Sequence, residues 1–202
     1  MKGSMITVGV IVLLIVLLGG CGISNYNGMN TASKDVDQKW ADVQSSYQRR
    51  SDLIPNLVST VKAAANFETK TLTDVIQARA SATQIKVDPK DLTPEKLQQF
   101  QASQGQLSQA LGRLMVVSEQ YPQLKGTENF KMLQDQLEGT ENRIKVSRDA
   151  FNASVKDYNV KVSNFPAVIF AGMFHFKEKP SFQADADAKN APKIGSGKFD
   201  DK

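Results

Sequence analysis

The sequence predicts an all-α protein, with an N-terminal membrane segment followed by an elongated antiparallel bundle of three or four helices. Three observations carry that prediction. Met5–Gly22 is an uncharged run rich in Ile, Val and Leu. Beyond it, three long stretches repeat apolar residues at steps of three and four, the period of a helix with one buried face. The strongest turn signals, Asp88-Pro89 and Tyr121-Pro122, fall between those stretches.

The N-terminal run has two physical readings, because a spanning helix needs about 20 apolar residues and a signal-peptide core only about 7–15. Counted to Ile23, it spans a bilayer. Counted as Ile6–Leu18, it is a signal core followed by Leu18-Gly19-Gly20-Cys21, which resembles a bacterial lipobox with Cys21 as the lipidation candidate. Lys2 precedes the run and no charge follows until Lys34, so the positive-inside bias keeps the N-terminus cytoplasmic and exports the rest. Either reading gives a single membrane anchor at 1–23.

From Ser33 to Ala82 the apolar positions Val36, Trp40, Val43, Tyr47, Ile54, Leu57, Val61, Leu72 and Val75 predict one helix of about 75 Å, kinked and not broken at Pro55. Thr93 caps a second helix, with Pro94 at its first position and Glu95 in its first turn, running to Gln120 on Leu97, Phe100, Gln104, Leu107, Leu111 and Leu114. Tyr121–Gly126 turns the chain and Thr127 caps a third helix. Its seam, Phe130, Leu133, Leu137, Thr140, Ile144, Phe151, Val155, Tyr158, Val162 and Phe165, is coiled-coil-like. Three helices with one apolar stripe each pack most economically as an antiparallel bundle, helix one opposing the other two. Trp40, Tyr47, Tyr158 and Phe165 are expected in its core. Ala167–Phe176 is apolar all round and needs cover, from the bundle or from the membrane surface. The bundle is thus assigned 24–176, and the aperiodic Lys177–Lys202 reads as a disordered tail.

The inventory narrows function. Cys21 is the only cysteine and His175 the only histidine in 202 residues, which leaves no disulfide within the chain and no ligand or nucleophile set for a zinc site, a Ser-His-Asp triad or a Cys-His dyad. A net charge of +4 spread along the chain gives no footprint for nucleic acid. The carboxylate pairs Asp35/Asp37 and Asp149/Asp157 lie among Lys, Gln and Ser and read as solvated surface, and the scattered glycines make no phosphate loop. No cofactor is expected, and His175, between two phenylalanines, reads as interfacial.

Arg49-Arg50-Ser51-Asp52-Leu53-Ile54-Pro55-Asn56-Leu57-Val58 resembles the signature of the LemA family. Ala78-Arg79, Tyr121-Pro122 with Leu124-Lys125, Glu141-Asn142 with Ile144 and Arg148, Phe151-Asn152, Tyr158-Asn159 and Phe165-Pro166 match the same family in order, so the resemblance extends from Tyr26 to Phe182. It implies a membrane helix and an elongated helical bundle, and it implies no established activity. One departure matters. Where the family often carries Gly-Tyr-Ala-x-His-Glu, this chain has Ala63-Ala64-Ala65-Asn66-Phe67-Glu68, so no role resting on that histidine is open to it.

Arg49, Arg50, Asp52, Pro55, Asn56, Glu68, Arg79, Glu141, Asn142, Arg148, Asn152 and Asn159 are the candidate site residues, as a network fixing helix register or as a partner face. Arg49 or Arg50 together with Asp52 is expected to bond across to Glu141, Asn142 or Arg148 on the third helix. The expected function is a non-catalytic scaffold or adaptor of the bacterial envelope, with a membrane or envelope protein as partner. The alternative is a structural element that binds lipid or cell-wall material directly.

Overall fold

The computed structural model describes residues 2–63 and 67–183, and every regular element among them is helical. α1 runs unbroken from Lys2 to Lys62, 61 residues and about 90 Å long. The sequence suggests a membrane segment and a separate bundle helix starting near Ser33; the structure makes them one rod. No proline interrupts the join, and Met29 and Ala32 already pack into the bundle core. The helix also continues through Pro55.

The far end corrects the expected helix to Ala82. The chain turns after Lys62, and α2 (Thr69–Gln84) runs back along α1, with Arg79 returning to the level of Ser51. Apolar spacing misses this reversal because Val61, Leu72 and Val75 enter the same core from both sides of the turn. Ala64, Ala65 and Asn66 lie outside the described residues. Phe67 after them is buried with its ring 4.8 Å from that of Tyr121.

The remaining starts follow local chemistry. Thr93 Oγ1 accepts from the Lys96 amide at the head of α3 (Pro94–Ser118), and Thr127 Oγ1 accepts from the Phe130 amide at the head of α5 (Glu128–Ser163). Between them α4 (Pro122–Lys125) is a single turn. Because α5 stops at Ser163, Phe165 leaves the seam and is 82% exposed, contrary to its expected core position.

Side-chain pairs fix the topology. Trp40 meets Phe151 and Arg50 meets Glu141, so α5 is antiparallel to α1. Tyr47 meets Phe100 and Arg50 meets Gln104, so α3 is parallel to α1. The bundle is therefore up-down-up-down in α1, α2, α3 and α5. Its core divides in two, one cluster around Trp40, Phe100, Phe151 and Tyr158 and another around Leu57, Val75, Leu114 and Phe130.

α6 (Ala167–Met173) follows α5 and packs on both α5 and α1. It ends with His175 at φ 61° and the Phe176 amide donating to the Ala171 carbonyl, a left-handed cap that turns the chain back toward the bundle. The segment from Lys177 to Gln183 then climbs in extended form between α5 and α3, with Phe182 buried against Trp40 and Phe151 and the Gln183 carbonyl bonded to Gln101. The tail expected from Lys177 is thus part of the fold up to Gln183; residues 184–202 lie outside those described.

Candidate functional site

Arg50 sits at the junction of the two core clusters. It is 1% exposed, although a buried guanidinium is costly unless its donors are met. Nη1 donates to Ser108 Oγ at 2.8 Å and Glu141 Oε1 at 2.6 Å, and Nη2 donates to Gln104 Oε1 at 2.6 Å and to the Gln104 carbonyl at 3.3 Å. The Tyr47 ring lies 5.0 Å from the guanidinium carbon. Gln104 Nε2 donates onward to the Ala82 carbonyl, so one layer ties α1, α2, α3 and α5 together. Glu141, with a side chain 50% exposed, brings the neutralising charge while keeping one side in water. Burial raises the pKa of Tyr47 in this layer, and the positive charges of Arg148 and Arg50 pull it the other way.

The neighbouring turn answers a second need. Pro55 has no amide hydrogen to give the Ser51 carbonyl four residues back. Arg79 Nε, from α2, donates to that carbonyl at 2.9 Å. A helix that would otherwise carry an unmet acceptor at a buried residue is satisfied from outside itself.

A third group holds the C-terminal extended segment. Asn152 donates to the Phe182 carbonyl and accepts from its amide, and Asn159 does the same with Lys179. The spacing explains itself. Seven residues of helix rise about 10 Å, and three residues of extended chain span about 10 Å, so Asn152 and Asn159 meet Phe182 and Lys179 in register. Tyr158 donates to the Lys177 carbonyl, Lys179 Nζ reaches Asp37 on α1 at 2.7 Å, and the Arg148 guanidinium lies 4.6 Å from the centre of the Phe182 ring. Burial raises the pKa of Tyr158, and the nearby Asp37 charge adds to that.

The expected cross-link therefore forms through Arg50 and Glu141, without Asp52 or Arg49. Asp52 accepts from Gln48 on its own helix, and Arg49, Asn56 and Asn142 are exposed. The reason is angular: at 100° per residue, Asp52 points about 200° away from Arg50. Glu68 is exposed and accepts from the Thr71 hydroxyl at the start of α2, away from the layer. Asp37, read as solvated surface, carries the Lys179 ion pair. Gln104, Ser108 and Lys179 escape a reading of the sequence for sites; the signal for Gln104 is an amide on a Leu and Phe stripe. Cys21 is exposed on α1, its carbonyl bonded by the Asn25 side chain. Among the described residues no group of His, Cys, Asp and Glu is placed to hold a metal ion.

The model of the LemA family matches residues 39–195. The magnetosome protein MamQ 2 of Paramagnetospirillum magneticum is 27% identical over 189 residues, covering 85% of this chain and 70% of that protein. The magnetosome protein MamQ of Magnetospirillum gryphiswaldense is 28% identical over 182 residues, covering 79% and 67%.

Proposed function

The chain belongs to the LemA family, and from that premise we propose that it is a non-catalytic scaffold or adaptor, anchored by one membrane helix and acting through protein contacts on the exported side. A membrane-associated helical protein is the part that the family and the apolar start of α1 support together. The observation that carries the finer reading is the division of the signature. Arg50 and Ser51 turn inward and are tied by α2, α3 and α5, whereas Arg49, Asp52 and Asn56 on the same turns are exposed. The inward half holds the rod in register; the outward half is free to meet a partner. The layer itself holds no nucleophile paired with a base, and Nη1 and Nη2 of Arg50 are taken up by structural bonds.

Crosslinking in the native host, followed by mild detergent extraction of the full chain, tests this. A membrane or envelope protein should co-purify stoichiometrically, and Arg49→Ala with Asp52→Ala should release it while leaving the thermal midpoint unchanged. Binding of the purified chain to vesicles or wall fragments, with no protein captured, would favour the alternative and overturn the adaptor reading.

A further inference from the structure

We propose that α6 and the turn before it form a lipid-contacting foot, seated in the headgroup region of the same bilayer that α1 crosses. The inference rests on reading Met5–Ile23 as the spanning segment. Its starting point is a contact: the Phe170 ring lies against Gly22, where an added Cβ would come within 3.2 Å of it. This fixes α6 at the outer end of the apolar run. From there it reaches toward the run itself, since Phe170, Met173 and Phe174 border an open groove of about 650 Å³ with Ile15, Leu18 and Gly19 on α1. Ile15 is about 10 Å below Gly22 along the helix. An apolar face on an interfacial helix buries about 5–10 Å into the headgroup and acyl boundary. The two depths agree.

The side chains fit that solvent. Phe165, Val168, Ile169, Met173 and Phe174 are exposed together around a seven-residue helix, continuous with the exposed Leu18 and Ile23 of α1. In water such a patch is a liability. Tyr26 stands just above it with its ring 5.0 Å from that of Phe174 and 5.6 Å from that of Phe176, an aromatic cluster of the sort found at the membrane boundary. Inward contacts hold the foot in place: Ala171 is buried in the core, and α6 packs on α5 as well as α1. The occupant favoured by continuity with the spanning run is therefore lipid, not a protein.

Tryptophan placed in the full chain reports on this directly, because the single native Trp40 lies about 27 Å above Gly22 along α1 and stays out of reach of the bilayer. Leu14→Trp, Ile169→Trp and Val116→Trp are each reconstituted into phosphatidylcholine and phosphatidylglycerol vesicles with bromine high on one acyl chain. The expected result is that the added emission is largely lost for Leu14→Trp and Ile169→Trp and kept for Val116→Trp. Quenching at Leu14→Trp with none at Ile169→Trp overturns the foot while sparing the span, including the case where Ile169→Trp is blue-shifted under a protein partner or a second copy. No quenching at Leu14→Trp overturns the spanning premise and the foot with it.

Discussion

Below Arg50, toward the apolar end of α1, the core is built on rings: Trp40 meets Phe100, Phe151 and Phe182 at 5.3–6.0 Å, and Tyr47 meets Phe100 edge-on. Above Arg50 it is mostly aliphatic, with Ile54, Leu57, Val61, Val75, Leu107 and Leu114 filling the space between closely packed helices. The difference follows from which stretch of chain completes the bundle at each level. In the lower half the extended segment 177–183 lies between α3 and α5, held to both by polar bonds, and its Phe182 joins the rings. In the upper half α2 packs on α3 and on α1, and its Leu72 and Val75 join the aliphatic cluster. The lower half thus depends on contacts between residues more than 140 positions apart, such as Asp37 with Lys179, whereas α2 and α3 of the upper half are sequence neighbours. Closing distant contacts costs more chain entropy than closing near ones.

The sharpest way to break the comparison is at the layer between the halves. Arg50→Ala strands Gln104 and Ser108 and should cost about 3–4 kcal/mol, within the range for breaking a buried charge pair and toward its lower end because half-exposed Glu141 is rehydrated. In urea, Trp40 emission reports the lower half and far-ultraviolet dichroism the whole bundle. The two transitions, coincident in the parent, should separate. Phe182→Ala comes next, at about 2–3 kcal/mol, just under the usual cost of emptying a Phe site because an end segment can peel away on its own. Trp40 emission should shift to the red in native buffer with helix content unchanged; Leu114→Ala, in the upper half, should leave that emission where it is.

Asn152→Ala and Asn159→Ala each leave one amide and one carbonyl of the extended segment without a partner, worth about 1–2 kcal/mol apiece. Limited proteolysis should then cut between Lys177 and Gln183 well before the helices are touched. If cutting begins in α5 instead, the clamps hold the helix and not the segment. Asp52→Ala is the smallest, within about 0.5 kcal/mol, since its bond to Gln48 is exposed and local. A loss of more than 1 kcal/mol would return Asp52 to the structural layer.

Features set by neighbouring residues were legible in the sequence. The caps at Thr93 and Thr127 and the seam of α5 from Phe130 to Val162 are where local chemistry and periodicity place them. The pairing of Arg50 with Glu141 was also within reach, because Arg50 lies on the inward face of α1 and Glu141 borders the α5 seam beside Thr140 and Ile144. What was not legible involves either direction or distance. Asp52 shares a turn with Arg50 but not a face. The reversal after Lys62 hides behind an unbroken apolar period. The segment at Lys177–Gln183 has no period at all, being extended, and only Phe182 betrays that it is buried.

On the spanning reading of Met5–Ile23, the unbroken run of α1 from Lys2 to Lys62 makes the molecule a lever. A spanning helix answers a thinner hydrocarbon layer by leaning over, and nothing between Gly22 and the bundle absorbs the angle. Over the 40 residues from Gly22 to Lys62, about 60 Å of helix, a lean of about 10° carries the far tip sideways by about 10 Å. The position of that tip would then read out the thickness of the bilayer beneath it.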